Sequence, residues 1–112
     1  MDAAQRLRAR ERDLLDQQSR LTDANADLRR DRADGTADDE HDPEGSTLSG
    51  EWQRVDALRA SLAAEIASVR RAQVRVADGS YGVCEVCGRG IPPARLEARP
   101  HAATCVDCAG RA

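Results

Sequence analysis

The residues best able to do chemistry are four cysteines. Cys84-Glu85-Val86-Cys87-Gly88 and Cys105-Val106-Asp107-Cys108 form two C-x-x-C pairs with 17 residues between them, a spacing that reads as a zinc site. Each pair places two thiolates on one tight turn, and two such turns complete a tetrahedron around one ion at about 2.3 Å per bond. Gly88 fits this geometry, because a residue free to take positive φ lets backbone N–H groups point at the sulfurs. Four thiolates leave no open position for water, so a single structural Zn²⁺ is expected, with Cys84, Cys87, Cys105 and Cys108 as ligands. His41 and His101 are read as surface residues, since the four sulfurs already complete the shell. A thiol redox role is the competing reading, but no thioredoxin-like βαβ pattern accompanies the pairs.

The charged start Met1-Asp2-Ala3-Ala4-Gln5-Arg6 leads into no apolar run of signal-peptide length, and no stretch approaches a membrane span. The expected location is the cytoplasm, where paired cysteines serve metals more often than disulfides. About thirty residues around the cysteines hold too few large side chains to fold unaided, so metal binding and folding should be one event.

The rest of the chain must position that finger. Leu7, Leu14, Leu21 and Leu28 recur every seventh residue with no Pro or Gly before Gly35, which is the seam of one helix. Its companion positions, Glu11, Gln18 and Asn25, are polar, so the apolar stripe is narrow and needs a partner. The partner lies between Leu48 and Val76, where Leu48, Trp52, Val55, Arg59, Leu62, Ile66, Val69, Gln73 and Val76 alternate by fours and threes. Ser46, Thr47 or Ser49 can cap its start, and Gly79 stands just past its end. Two such seams with a short polar connection pack as an antiparallel hairpin with arms of about 45 Å. A dimeric coiled coil is the alternative, disfavoured because Gly35 to Gly45 reads as a turn. The predicted fold is all-α with a small zinc finger: an antiparallel coiled-coil helical hairpin over 1–79 (helix about 3–34, acidic tip 34–46, helix about 47–78), then a four-cysteine zinc finger over 80–112. A monomer is expected.

Charge is unevenly spread. The net charge is −3, yet Asp34, Asp38, Asp39, Glu40, Asp42 and Glu44 lie together with no arginine among them, at the turn of the hairpin. A charge run is often only a solvated linker, but at the end of a rigid arm it can also act on a partner. From Cys84 onward there are four arginines against three acids, too little positive charge for many phosphate contacts, and only Tyr81 could stack on a base. A GATA-like DNA-binding finger is therefore a secondary reading, as is a structural protein–protein adaptor. Catalysis by the chain itself has no support, since no nucleophile–base arrangement or phosphate-cradling glycine loop is present.

The run from Ala77-Asp78-Gly79-Ser80-Tyr81-Gly82-Val83-Cys84 through Ile91, followed by Arg95-Leu96-Glu97-Ala98-Arg99-Pro100 and the second pair, resembles the DksA/TraR zinc-finger family. The likeness extends beyond the cysteines to Gly79, Tyr81-Gly82, Ile91, Arg95-Leu96 and Pro100. It implies a bacterial transcription regulator that binds RNA polymerase directly, without sequence-specific DNA binding, by inserting its hairpin through the secondary channel. Acidic tip residues would then approach the catalytic centre. The family's D-x-x-D-x-A tip pattern places its aspartates on Asp39 and Asp42, with Asp38 beside them, whereas Glu44 stands where alanine is expected. Only four residues follow Cys108, so the C-terminal helix of longer members is not expected, and whether ppGpp is an effector is left open.

Overall fold

Asp2 and Gln5 close the start of the first helix on each other. The Gln5 backbone N–H donates to Asp2 Oδ1 at 2.8 Å, and the Asp2 N–H donates to Gln5 Oε1 at 2.9 Å. This reciprocal pairing satisfies two donors that a helix start would otherwise leave open. In the computed structural model, which describes residues 1–35 and 44–110 with side chains at 1–27, 30 and 50–110, this helix, α1, spans Ala3–Gly35.

The second helix, α2, spans Glu44–Asp78. It begins ahead of Ser46, Thr47 and Ser49, so the expected caps lie inside it. A glutamate at the first position suits the positive end of a helix. The far end matches expectation: Gly79 takes φ 85°, and the Ser80 N–H returns to the Arg75 carbonyl at 3.0 Å, the closing bond of a Schellman motif. Two short helices follow, α3 (Pro93–Ala98) and α4 (Val106–Ala109), and among the described residues the only β pairing is a bridge between Val83 and Gly90. The fold is an antiparallel helical hairpin followed by a small finger.

Two compact units divide the chain, Met1–Asp13 with Glu65–Ala112, and Leu14–Ala64. In the first, Leu7, Ile66, Val69 and Ala72 are buried. Polar contacts tie the two helices along this seam, where Arg10 donates to Glu65 at 2.6 Å while Glu11 accepts from Arg70 at 3.1 Å and from Gln73 at 3.3 Å. Those two donors, Arg70 first, hold the Glu11 carboxyl below its usual value. The pairs are partly exposed and fix register more than they add stability.

In the second unit Leu14, Val55 and Asn25 are buried, with Leu21, Trp52 and Leu62 half-buried. Every described position of the two heptad seams is thus buried or half-buried. A half-buried indole should emit at shorter wavelength than one in water and be partly shielded from quenchers. A fully water-like emission spectrum of the intact protein would contradict the placement of Trp52 in the seam. Asp38, Asp39, Glu40, His41 and Asp42 of the acidic stretch lie outside the described residues, as do the side chains of Leu28, Asp34, Glu44 and Leu48.

Candidate metal centre

The first cysteine pair sits on a ribbon that the backbone ties twice. Ile91 N–H donates to the Gly82 carbonyl at 2.7 Å, and Cys84 N–H to the Arg89 carbonyl at 2.8 Å. Between these rungs the chain turns sharply, with Gly88 N–H returning to the Cys84 carbonyl at 2.9 Å and Gly88 itself at φ 75°. The second pair opens α4: Cys105 precedes its first residue, and Ala109 N–H donates to the Cys105 carbonyl at 2.9 Å. Cys84, Ile91, Leu96 and Ala102 form the small core of the finger, with Tyr81, Cys105 and Cys108 packed against it.

The fold brings all four cysteines together. Their sulfurs lie within 4.8 Å of one another, with Cys87 Sγ 3.8 Å from Cys105 Sγ, and all four thiols are free of disulfides. A tetrahedron with metal–sulfur bonds of about 2.3 Å has edges of about 3.8 Å, so the donor set is already spaced for zinc. Its electrostatics make the same demand. The backbone N–H of Cys87, then that of Cys105, lowers the Cys84 thiol to about 6, so one thiolate is welcome. The neighbouring Cys105 thiol, then burial and the remaining sulfurs, pushes Cys108 up to about 12. Four thiolates at this separation repel one another unless a divalent cation sits among them.

Residues 79–112 match the prokaryotic DksA/TraR C4-type zinc finger. The finger is thus similar to that of the DksA/TraR family, over about a third of the chain. The RNA polymerase-binding transcription factor DksA of Caulobacter vibrioides is 50% identical over 46 residues, 41% of this chain and 32% of that protein. Its Escherichia coli K12 counterpart, also named an RNA polymerase-binding transcription factor, is 44% identical over 43 residues, 38% of this chain and 28% of that protein. The matched stretch thus spans about a third of those relatives' own length. The solved structure of transcription factor DksA2 from Pseudomonas aeruginosa shares the fold, with a TM-score of 0.78 at 20% identity over 97% of this chain and 78% of the other. The cofactor of the finger is one structural zinc ion.

Two residues near the finger escaped sequence reasoning. His101, read as a surface residue, is buried, with its side chain 7% exposed and Nε2 3.6 Å from Glu65 Oε1, the oxygen that Arg10 also holds. Among the described residues neither ring nitrogen has a hydrogen-bond partner. Nothing local in Pro100-His101-Ala102 marks burial, which comes from packing against residues far along the chain. Arg75 is buried as well, its guanidinium donating to Glu85 at 3.1 Å. Its place one residue before the seam position Val76 was the available signal.

Burial holds the His101 imidazole below its ordinary value of 6.5, against the attraction of Glu65 and with smaller help from Arg99 and Arg10. Above that value the ring is neutral whether the chain is folded or not, and stability does not depend on it. As pH falls below 6.5 the unfolded chain takes up a proton that the folded ring resists, so stability is lost. Denaturation midpoints should therefore fall between about pH 7.5 and about pH 5.5, and the fall should be shallower in His101→Gln at equal zinc content. Equal slopes for parent and variant would contradict the buried neutral ring.

Proposed function

We propose that this chain is a bacterial transcription regulator that binds RNA polymerase directly, inserting its helical hairpin into the secondary channel so that the acidic tip lies near the catalytic centre. Cys84, Cys87, Cys105 and Cys108 hold the zinc, which clamps the finger at the hairpin base. The observation that carries this reading is the DksA/TraR finger at the end of a two-helix hairpin, a combination whose fold matches DksA2 along nearly the whole chain. The relatives named RNA polymerase-binding factors support the choice of partner.

Charge supports the choice of end. Residues 14–64 hold twelve acids against six arginines, while the remaining residues hold eight acids against eleven arginines. Asp39 and Asp42, with Asp38 and Glu44 beside them, are the proposed acting groups, and clustered carboxylates can perturb a catalytic magnesium ion or its surroundings. A DNA-reading finger is further disfavoured because Arg75 is buried and Arg95 donates to the Thr104 carbonyl at 2.9 Å, leaving fewer cations for phosphates. The test is co-elution of the purified protein with the host's core RNA polymerase. A stable complex is expected; separate elution at micromolar concentrations would favour the adaptor reading instead.

A further inference from the structure

The segment Pro100–Thr104 delivers the second cysteine pair to the first, and three of its carbonyls are caught from outside. Tyr81 Oη donates to the Pro100 carbonyl at 2.8 Å, the Glu85 N–H to that of Ala103 at 2.9 Å, and Arg95 Nε to that of Thr104 at 2.9 Å. Two of these three donors are side chains. Both are themselves well placed: Tyr81 packs against the finger core, and Arg95 is half-buried on α3, its own carbonyl accepting from the Arg99 N–H at 2.7 Å.

We propose that Arg95 and Tyr81 are positioning residues for the zinc, holding the segment that precedes Cys105 so that the second thiolate pair stays where the metal needs it. Zinc leaves a four-thiolate site stepwise, one sulfur detaching before the next. Whether a detached sulfur rebinds or the metal escapes depends on how far its backbone can drift. The carbonyl held by Arg95 belongs to the residue immediately before a ligand, and the one held by Tyr81 lies at the start of the same segment. Both bonds therefore restrain Cys105 without touching it. Arg95 contributes a second effect: four thiolates around one divalent ion carry two net negative charges, and a cation bonded next to a ligand offsets them. Outer groups of this kind typically change metal affinity by about ten- to a hundred-fold. The Glu85–Ala103 bond is between backbone groups and survives either substitution, so the finger keeps one tie in every variant.

The proposal rests on the assignment of the four cysteines as ligands, and the test separates the two. Full-length protein would be loaded with zinc and the rate of its transfer to a chromogenic chelator measured. Cobalt-substituted protein would be compared by visible absorption. Tyr81→Phe removes a single oxygen and should release zinc several-fold faster. Arg95→Gln should release it about ten-fold faster or more, and Arg95→Lys, which keeps the charge, should recover part of the loss. The cobalt spectra of all three should keep the band positions and intensity of a tetrahedral four-thiolate site. Glu97→Gln, on an exposed position of α3, serves as control and should leave the rate unchanged. Parental release rates in both Tyr81→Phe and Arg95→Gln would overturn the positioning role while leaving the ligands intact, as would equal acceleration in the control. A parent protein without the four-thiolate cobalt spectrum would overturn the ligand assignment and the proposal with it.

Discussion

Replacing Cys87 with serine is expected to release the zinc and unfold the chain beyond Gly79. Cys87 is the right position for this experiment because it is exposed, whereas Cys84 belongs to the core of the finger and its loss would also disturb packing. That core consists of Cys84, Ile91, Leu96 and Ala102, with half-buried Tyr81 beside it, far too little apolar surface to offset the conformational entropy of some thirty residues. Structural zinc contributes about 10–16 kcal/mol in comparable fingers, more than such a core can supply. Metal analysis of Cys87→Ser should find the zinc lost, and amide exchange should show residues 80–110 unprotected. Full zinc occupancy in the variant, with protection retained, would remove Cys87 from the ligand set.

The second large effect is expected in the acidic stretch between α1 and α2. Asp39→Asn with Asp42→Asn keeps side-chain size and polarity but removes two charges from a stretch of six acids with no arginine. If the tip works on the polymerase's catalytic centre, affinity should fall little, because most contact area would come from the helices and finger. The effect on transcript initiation should be largely abolished. Initiation assays at saturating protein, paired with a binding measurement, separate the two. A double variant that binds and alters initiation as its parent does would leave channel occlusion as the mode of action. Glu44→Ala restores the tip pattern of the family, and in the same assay it should raise activity if the glutamate weakens the device.

Much of this molecule was legible in the sequence because its information is periodic or paired. Leu7, Leu14, Val55, Ile66 and Val69 were named from spacing alone and all five are buried, since a heptad seam admits few other solutions. The paired cysteines announced their own convergence. The glycine after Asp78 marked the end of α2 because only a left-handed residue closes a helix in that way. What was missed is long-range or reciprocal. The Asp2–Gln5 cap was present in the sequence as a spacing of three but carried no apolar pattern to draw attention to it. His101 is a polar residue buried by contacts across the fold, and no local periodicity encodes its partner Glu65. Arg75 stands one residue before a seam position, but its polar character hides that it is buried there. α2 begins at Glu44, ahead of the three hydroxyl residues that are all plausible caps, so local capping chemistry points to a start later than the true one.

The most direct test of where the hairpin goes is to let the polymerase report it. Iron(II) exchanged for the magnesium ion of the catalytic centre, with peroxide and a reductant added, generates hydroxyl radicals that cut whatever backbone lies close to the metal. With the end-labelled chain bound to core RNA polymerase, cleavage is expected within residues 35–45 and nowhere in the finger. A bound chain left intact over that stretch, or cut only beyond Gly79, would contradict insertion of the acidic tip toward the catalytic centre.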